Sequence, residues 1–90
     1  MPTIRIPNAL RYYVNGAQVV SAQGQTAGEA VESLFTQFPD LRPQLTNERG
    51  ELRTFVRLFL GKVPLQDLQG LDTNLGEEDE LRLVASMAGG

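Results

Sequence analysis

The residues able to do chemistry in this chain are few. It has no Cys and no His. That removes a thiol nucleophile, a thiolate metal site and a disulfide framework. It also removes the usual general base near neutral pH and the commonest metal ligand. Three candidates remain. The first is the acidic run Glu77-Glu78-Asp79-Glu80. Consecutive acids do not converge on one point, and the spacing of a calcium loop is missing, so no metal is expected there. The run reads as a charged turn that aids solubility and can steer a basic partner. The second is a set of arginines, Arg5, Arg57 and Arg82, alternating along strand-like segments with Phe59 and Val84. A mixed basic and apolar patch on a small acidic domain suits docking to a protein partner, and Met87 follows the same stretch. The third is the ending Ala88-Gly89-Gly90. Glycine has no Cβ, so the acyl carbon of Gly90 is unhindered and the backbone there can enter a narrow channel.

The frame that must hold these residues is small. Ninety residues make one domain, not two. Apolar residues at 41% and charged residues at 21% fit a globular chain and are too apolar for a disordered one. A net charge of −3 argues against a nucleic-acid partner, whose phosphates demand a basic face. No apolar run approaches a bilayer-spanning length, and the start MPTIRIPNALRYY has no secretory pattern. The expectation is a cytoplasmic domain with no membrane partner.

Ile4 and Ile6 alternate with Thr3 and Arg5, which predicts a half-buried strand that Pro7 ends. Asn15-Gly16 is a turn dipeptide, and Gln18 to Ala22 reads as the returning strand of a hairpin. Thr26-Ala27-Gly28-Glu29 reads as a capping box, with Thr26 as N-cap and Glu29 reaching back. Ala27, Ala30, Val31, Leu34, Phe35 and Phe38 then form one apolar stripe of a helix, which Pro39 stops. Leu41 to Leu52 reads as a connector with one short helical turn and a turn near Gly50. Thr54 to Leu60 predicts a strand with Val56, Leu58 and Leu60 on one face and Phe55, Arg57 and Phe59 on the other. Val63 to Leu68 holds a short edge strand, since Pro64 is tolerated only at an edge. Glu80 to Ala85 is the last strand, with Leu81 and Leu83 inward and Arg82 and Val84 outward. One helix stripe covers one face of one sheet. The fold class expected is α+β, a ubiquitin-like β-grasp. Its mixed sheet of four to five strands wraps over one main helix, with the first and last strands parallel at the centre. The domain is drawn over residues 1–84, with a flexible tail over 85–90.

With these elements in place the chain resembles the ubiquitin-like sulfur carriers, the family of the molybdopterin-synthase small subunit and the thiamine sulfur carrier. The likeness rests on five stretches. Gly24-Gln25-Thr26 matches a "G-x-T" helix entry. Phe55-Val56-Arg57-Leu58-Phe59-Leu60-Gly61 stands where the carriers have "F-V-x-I-x-V-N". Gly70-Leu71-Asp72-Thr73 and Glu78-Asp79-Glu80-Leu81 are similar to "G-L-x-T" and "D-G-D-E-V". Ala88-Gly89-Gly90 is the carriers' terminus. Two positions depart from the pattern. Gly61 replaces the usual Asn, and no proline precedes the terminal glycines. The "I-P-x-x-L-R" start (Ile6 to Arg11) leans toward the carriers that serve a cysteine synthase.

The resemblance implies a chemistry that needs only a carboxylate on a thin strand. A ubiquitin-activating-like adenylating and sulfurtransferase enzyme uses ATP to adenylate the Gly90 carboxylate. A sulfur donor then replaces the adenylate and leaves a thiocarboxylate, which a sulfur-accepting synthase consumes. The carrier is a protein co-substrate, not an enzyme, and binds no cofactor itself. From Ala85 to Gly90 six extended residues span at most roughly 20 Å, enough to reach a buried site while the domain stays outside. Cysteine biosynthesis is the favoured route. The small subunit of molybdopterin synthase, a protein modifier and a plain β-grasp interaction domain are the alternatives. Lys62 is the only lysine and so the one side-chain acceptor for conjugation within the chain.

Overall fold

A computed structural model of the chain describes residues 1–86. Five strands form one mixed sheet, in the order β2-β1-β5-β3-β4. They are β1 (Thr3–Arg5), β2 (Val19–Ser21), β3 (Val56–Leu60), β4 (Val63–Pro64) and β5 (Glu80–Ala85). The central pair, β1 with β5, is parallel, and every other pair is antiparallel. The main helix α1 (Ala27–Gln37) covers one face of the sheet. A single turn, α2 (Arg42–Leu45), follows it. This is the β-grasp arrangement that the order of apolar patterns predicts. No helix among the described residues is long and apolar enough to cross a membrane.

The helix forms where its stripe and cap place it. Ala27, Ala30, Val31, Leu34 and Phe35 are buried, and Phe38 packs half-buried at the end. Thr26 Oγ1 accepts the Glu29 N–H at 3.2 Å. The return arm differs from the expected box: Glu29 Oε1 accepts from the Gln25 N–H at 2.7 Å, not from Thr26. Gln25 is also pinned through its carbonyl, which accepts the Leu75 N–H at 2.8 Å. The two stretches before and after the helix are therefore tied together. The Ala27 N–H, unsatisfied within the helix, donates to the Thr73 carbonyl at 2.9 Å. The Thr73 hydroxyl accepts from Gln69 N–H at 3.1 Å.

The first two strands are not joined by a tight hairpin. Between them lies a 3-10 segment over Asn8–Val14 that buries Leu10 and Val14. Asn15-Gly16 ends this segment, with both residues at positive φ (57° and 81°). A type I′-like pair of left-handed residues makes the predicted turn, but the turn closes a helical piece rather than a strand pair. The connector after α1 also contributes more than a link. Leu41 and Leu45 are fully buried and extend the core beyond the α1 stripe. Gly50 turns at φ 79° between Thr46 and Leu52, which form an isolated bridge.

Candidate functional site

The site grows out of strand register. A strand sends alternate side chains to opposite faces, so the inward residues Ile4, Val56, Leu58, Leu81 and Leu83 fix which residues face out. On the outer face the pairings Arg5↔Val19, Arg5↔Arg82, Phe59↔Arg82 and Phe59↔Pro64 form one row across all five strands. Arg57↔Val84 forms the next row, nearer the end from which β5 leaves the sheet. The structure thus brings Arg5, Arg57, Phe59, Arg82 and Val84 onto one face.

Their electrostatics differ. Arg5 and Arg82 are direct neighbours on parallel strands, and two like charges side by side would repel. Each is diverted. Arg5 Nε donates to Glu80 Oε1 at 3.0 Å, and its guanidinium Nη2 donates to Glu80 Oε2 at 3.5 Å. Arg82 instead lies over the Phe59 ring, 5.2 Å from its centre. This cation–π contact leaves Phe59 half-buried rather than bare, as the sequence pattern alone suggested. Arg57 is exposed and makes no ion pair among the described residues. Val84 is half-buried between Arg57 and the strand end.

β5 runs through Ala85, as the strand pattern Glu80 to Ala85 predicts, although the domain boundary is drawn before Ala85, and the Ser86 N–H still donates to the Phe55 carbonyl at 3.0 Å. Met87, Ala88, Gly89 and Gly90 lie outside the described residues. Phe55 itself is half-buried against the core rather than part of the outer patch.

The acidic run splits by task. Asp79 Oδ2 accepts the Gly76 N–H at 2.7 Å and closes the turn, Glu80 holds Arg5, and Glu77 and Glu78 are exposed. Glu80 was the partner that the sequence did not reveal. Its signal lies in the parallel β1–β5 register, which sets Thr3 beside Glu80 and Arg5 two residues further on. Lys62 is exposed in the two-residue turn between β3 and β4, after Gly61 at φ 63°. Among the described residues the two groups with shifted pKa values lie elsewhere, and they are partners: hydrogen bonding to Glu32 raises that of Arg42 above its ordinary value. Glu32 is held below the ordinary carboxylate range by its hydrogen bonds to Arg42, on the outer side of α1.

A sheet of this order grasping one helix, with a patterned outer face that leads to the exit of its last strand, defines a ubiquitin-like β-grasp protein. The sequence pattern of the ThiS family matches residues 4–90, and the chain belongs to that family. It is similar to the sulfur carrier protein CysO of Mycobacterium tuberculosis. The two are 28% identical over 90 residues, covering 98% of this chain and 97% of that one. The crystal structure of M. tuberculosis CysO superposes with a TM-score of 0.85 at 25% identity, over 97% of this chain and all of that one. CysO in its complex with BexX, from Amycolatopsis orientalis, matches with a TM-score of 0.87 at 24% identity over the full length of both chains.

Proposed function

We propose that this protein is a sulfur carrier whose Gly90 carboxylate is the reactive group. The observation that supports the reading best is that the ThiS pattern runs through Gly90, in a chain that aligns along nearly its whole length with a sulfur carrier protein. The Gly90 carboxylate attacks the α-phosphorus of ATP in an activating enzyme, releasing pyrophosphate and forming an acyl-adenylate. A sulfur nucleophile from a donor adds to the acyl carbon, AMP leaves, and a thiocarboxylate remains. A synthase then takes up that sulfur, and the likeness to CysO favours cysteine biosynthesis as the route.

The chain's own residues serve the reaction by presentation. Phe59, Arg82, Arg57 and Val84 form the docking face for the activating enzyme and the synthase. Four residues follow Ser86, and fully extended they reach at most about 14 Å. That is less than the roughly 20 Å counted from Ala85, so Ser86 must come within about 14 Å of the reacting phosphate. A TM-score of 0.87 to a carrier bound to another protein is consistent with docking by this fold. The test is ATP–pyrophosphate exchange by a CysO-activating enzyme. The intact chain is expected to support exchange, and a chain lacking Gly89 and Gly90 is not. Equal exchange by both would overturn the proposal.

A further inference from the structure

A second surface lies around the edge of the sheet from the outer face, and the carrier reading does not assign it. β4 pairs only with Phe59 and Leu60 before the chain leaves the sheet. It passes into two 3-10 turns, Leu65–Asp67 and Gly70–Asp72. On that side Val56, Arg57 and Leu58 therefore have no strand neighbour. The gap is a groove of about 180 Å³. Val56, Leu58 and Leu65, all buried, lie along its floor, and Pro64 and Leu71 stand on its walls. Among the described residues, three of the six exposed large apolar side chains flank this short connection: Val63 (42% exposed), Leu68 (44%) and Leu71 (44%). Such a concentration on a small soluble domain marks a contact surface rather than scattered exposure.

The charge of the groove narrows the occupant. Among the described residues Arg57 is the only charged one that lines it. Arg5 and Arg42 are each held by a carboxylate, whereas Arg57 has none among the described residues. An apolar slot with one uncommitted guanidinium at its rim fits a large apolar side chain beside an anion, since Arg pairs best with a carboxylate. The open side of β3 suits an extended segment.

We propose that this groove receives an extended segment of a protein partner that presents one large apolar side chain next to a carboxylate. Because Arg57 also stands on the outer face beside Val84, one partner can grip β3 from both sides.

The test is titration of the full ¹⁵N-labelled chain with acetyl-Phe-Glu-amide, followed by amide chemical shifts. The shifts are expected to cluster at Leu58, Leu65, Gln66 and Leu71. Arg57→Gln is expected to weaken binding by about threefold, the size of an exposed ion pair. Leu71→Ser, at an exposed position, should abolish the shifts while leaving the rest of the spectrum dispersed. Acetyl-Phe-Lys-amide should bind more weakly than the Glu peptide. No shifts at millimolar peptide, shifts confined to Phe59 and Arg82, or equal binding of the Lys peptide would overturn the proposal. Shifts of the same amides with protein concentration alone would also overturn it, by making a second copy the occupant.

Discussion

Gly24→Ala should destabilise the domain by about 2 kcal/mol, although the residue touches no part of the outer face. Gly24 lies two residues before the N-cap, where the chain crosses the first turn of α1. A methyl group there would stand 2.6 Å from the Ala30 backbone nitrogen, 2.8 Å from Glu29 Cβ and 2.9 Å from the Glu29 carbonyl carbon. Two of these three atoms are helix backbone, so no side-chain rotation relieves the clash. The chain must move off the helix, and it carries three bonds when it does. These are Glu29 N–H to Thr26 Oγ1, Gln25 N–H to Glu29 Oε1, and Leu75 N–H to the Gln25 carbonyl. Overpacking costs typically about 1–3 kcal/mol, and loss of an N-cap about 1 kcal/mol. A 90-residue domain is stable by roughly 5–13 kcal/mol, so the variant still folds. Its melting temperature should fall by about 8–16 °C. Urea unfolding followed by circular dichroism should show a lower midpoint with an unchanged slope. Gly16→Ala is the control. Its φ is 81°, but nothing lies within 4 Å of the added methyl, so only backbone strain of about 1 kcal/mol applies. If Gly24→Ala matched the parent within about 0.5 kcal/mol, the packing argument for this glycine would be wrong.

Further expectations concern the cap, the surface pair and the docking face. Thr26→Ala should cost about 1 kcal/mol in the same urea assay, since Oγ1 satisfies the Glu29 N–H. Hydrogen bonding to Arg42 depresses the Glu32 pKa, so the pair's stabilisation is present above the ordinary Glu value and is lost as pH falls through the depressed one. The melting-temperature gap between the parent and Glu32→Gln should therefore be open at neutral pH and close in acid, and a gap that widened in acid would contradict the assignment. Phe59→Ala should cost about 1–2 kcal/mol of stability, less than a core phenylalanine, because the ring is half-buried. In pyrophosphate exchange it should raise the KM for the carrier by about tenfold at unchanged kcat, the signature of lost docking.

What could be read from the sequence follows from how local each feature is. The α1 stripe and its Thr26 cap are set within a dozen residues, and both were legible. The faces of β3 and β5 follow from period two alone, so the outward set of Arg57, Phe59, Arg82 and Val84 was legible as well. The Asn8–Val14 segment was not. Its two buried residues, Leu10 and Val14, are spaced as on a helix, but no capping residue announces it and Asn15-Gly16 mimics a hairpin turn. The Arg5–Glu80 pair joins residues 75 apart, and only the register of parallel strands brings them together. The division of labour among the three arginines was hidden for the same reason. The glycines of the "G-x-T" and "G-L-x-T" stretches gain a structural meaning. Gly24 lets the chain cross the helix, and Gly70 turns at φ 59°. Leu71 then packs over Gly28, where an added methyl would stand 3.1 Å from the Leu71 carbonyl oxygen.

The central claim concerns one atom. The chain, incubated with ATP, a CysO-activating enzyme and a sulfide donor, should gain mass by the exchange of one oxygen for one sulfur. Fragmentation should place that change on Gly90. An unchanged mass in the presence of an enzyme that converts CysO itself, or a sulfur located on any other residue, would contradict the account.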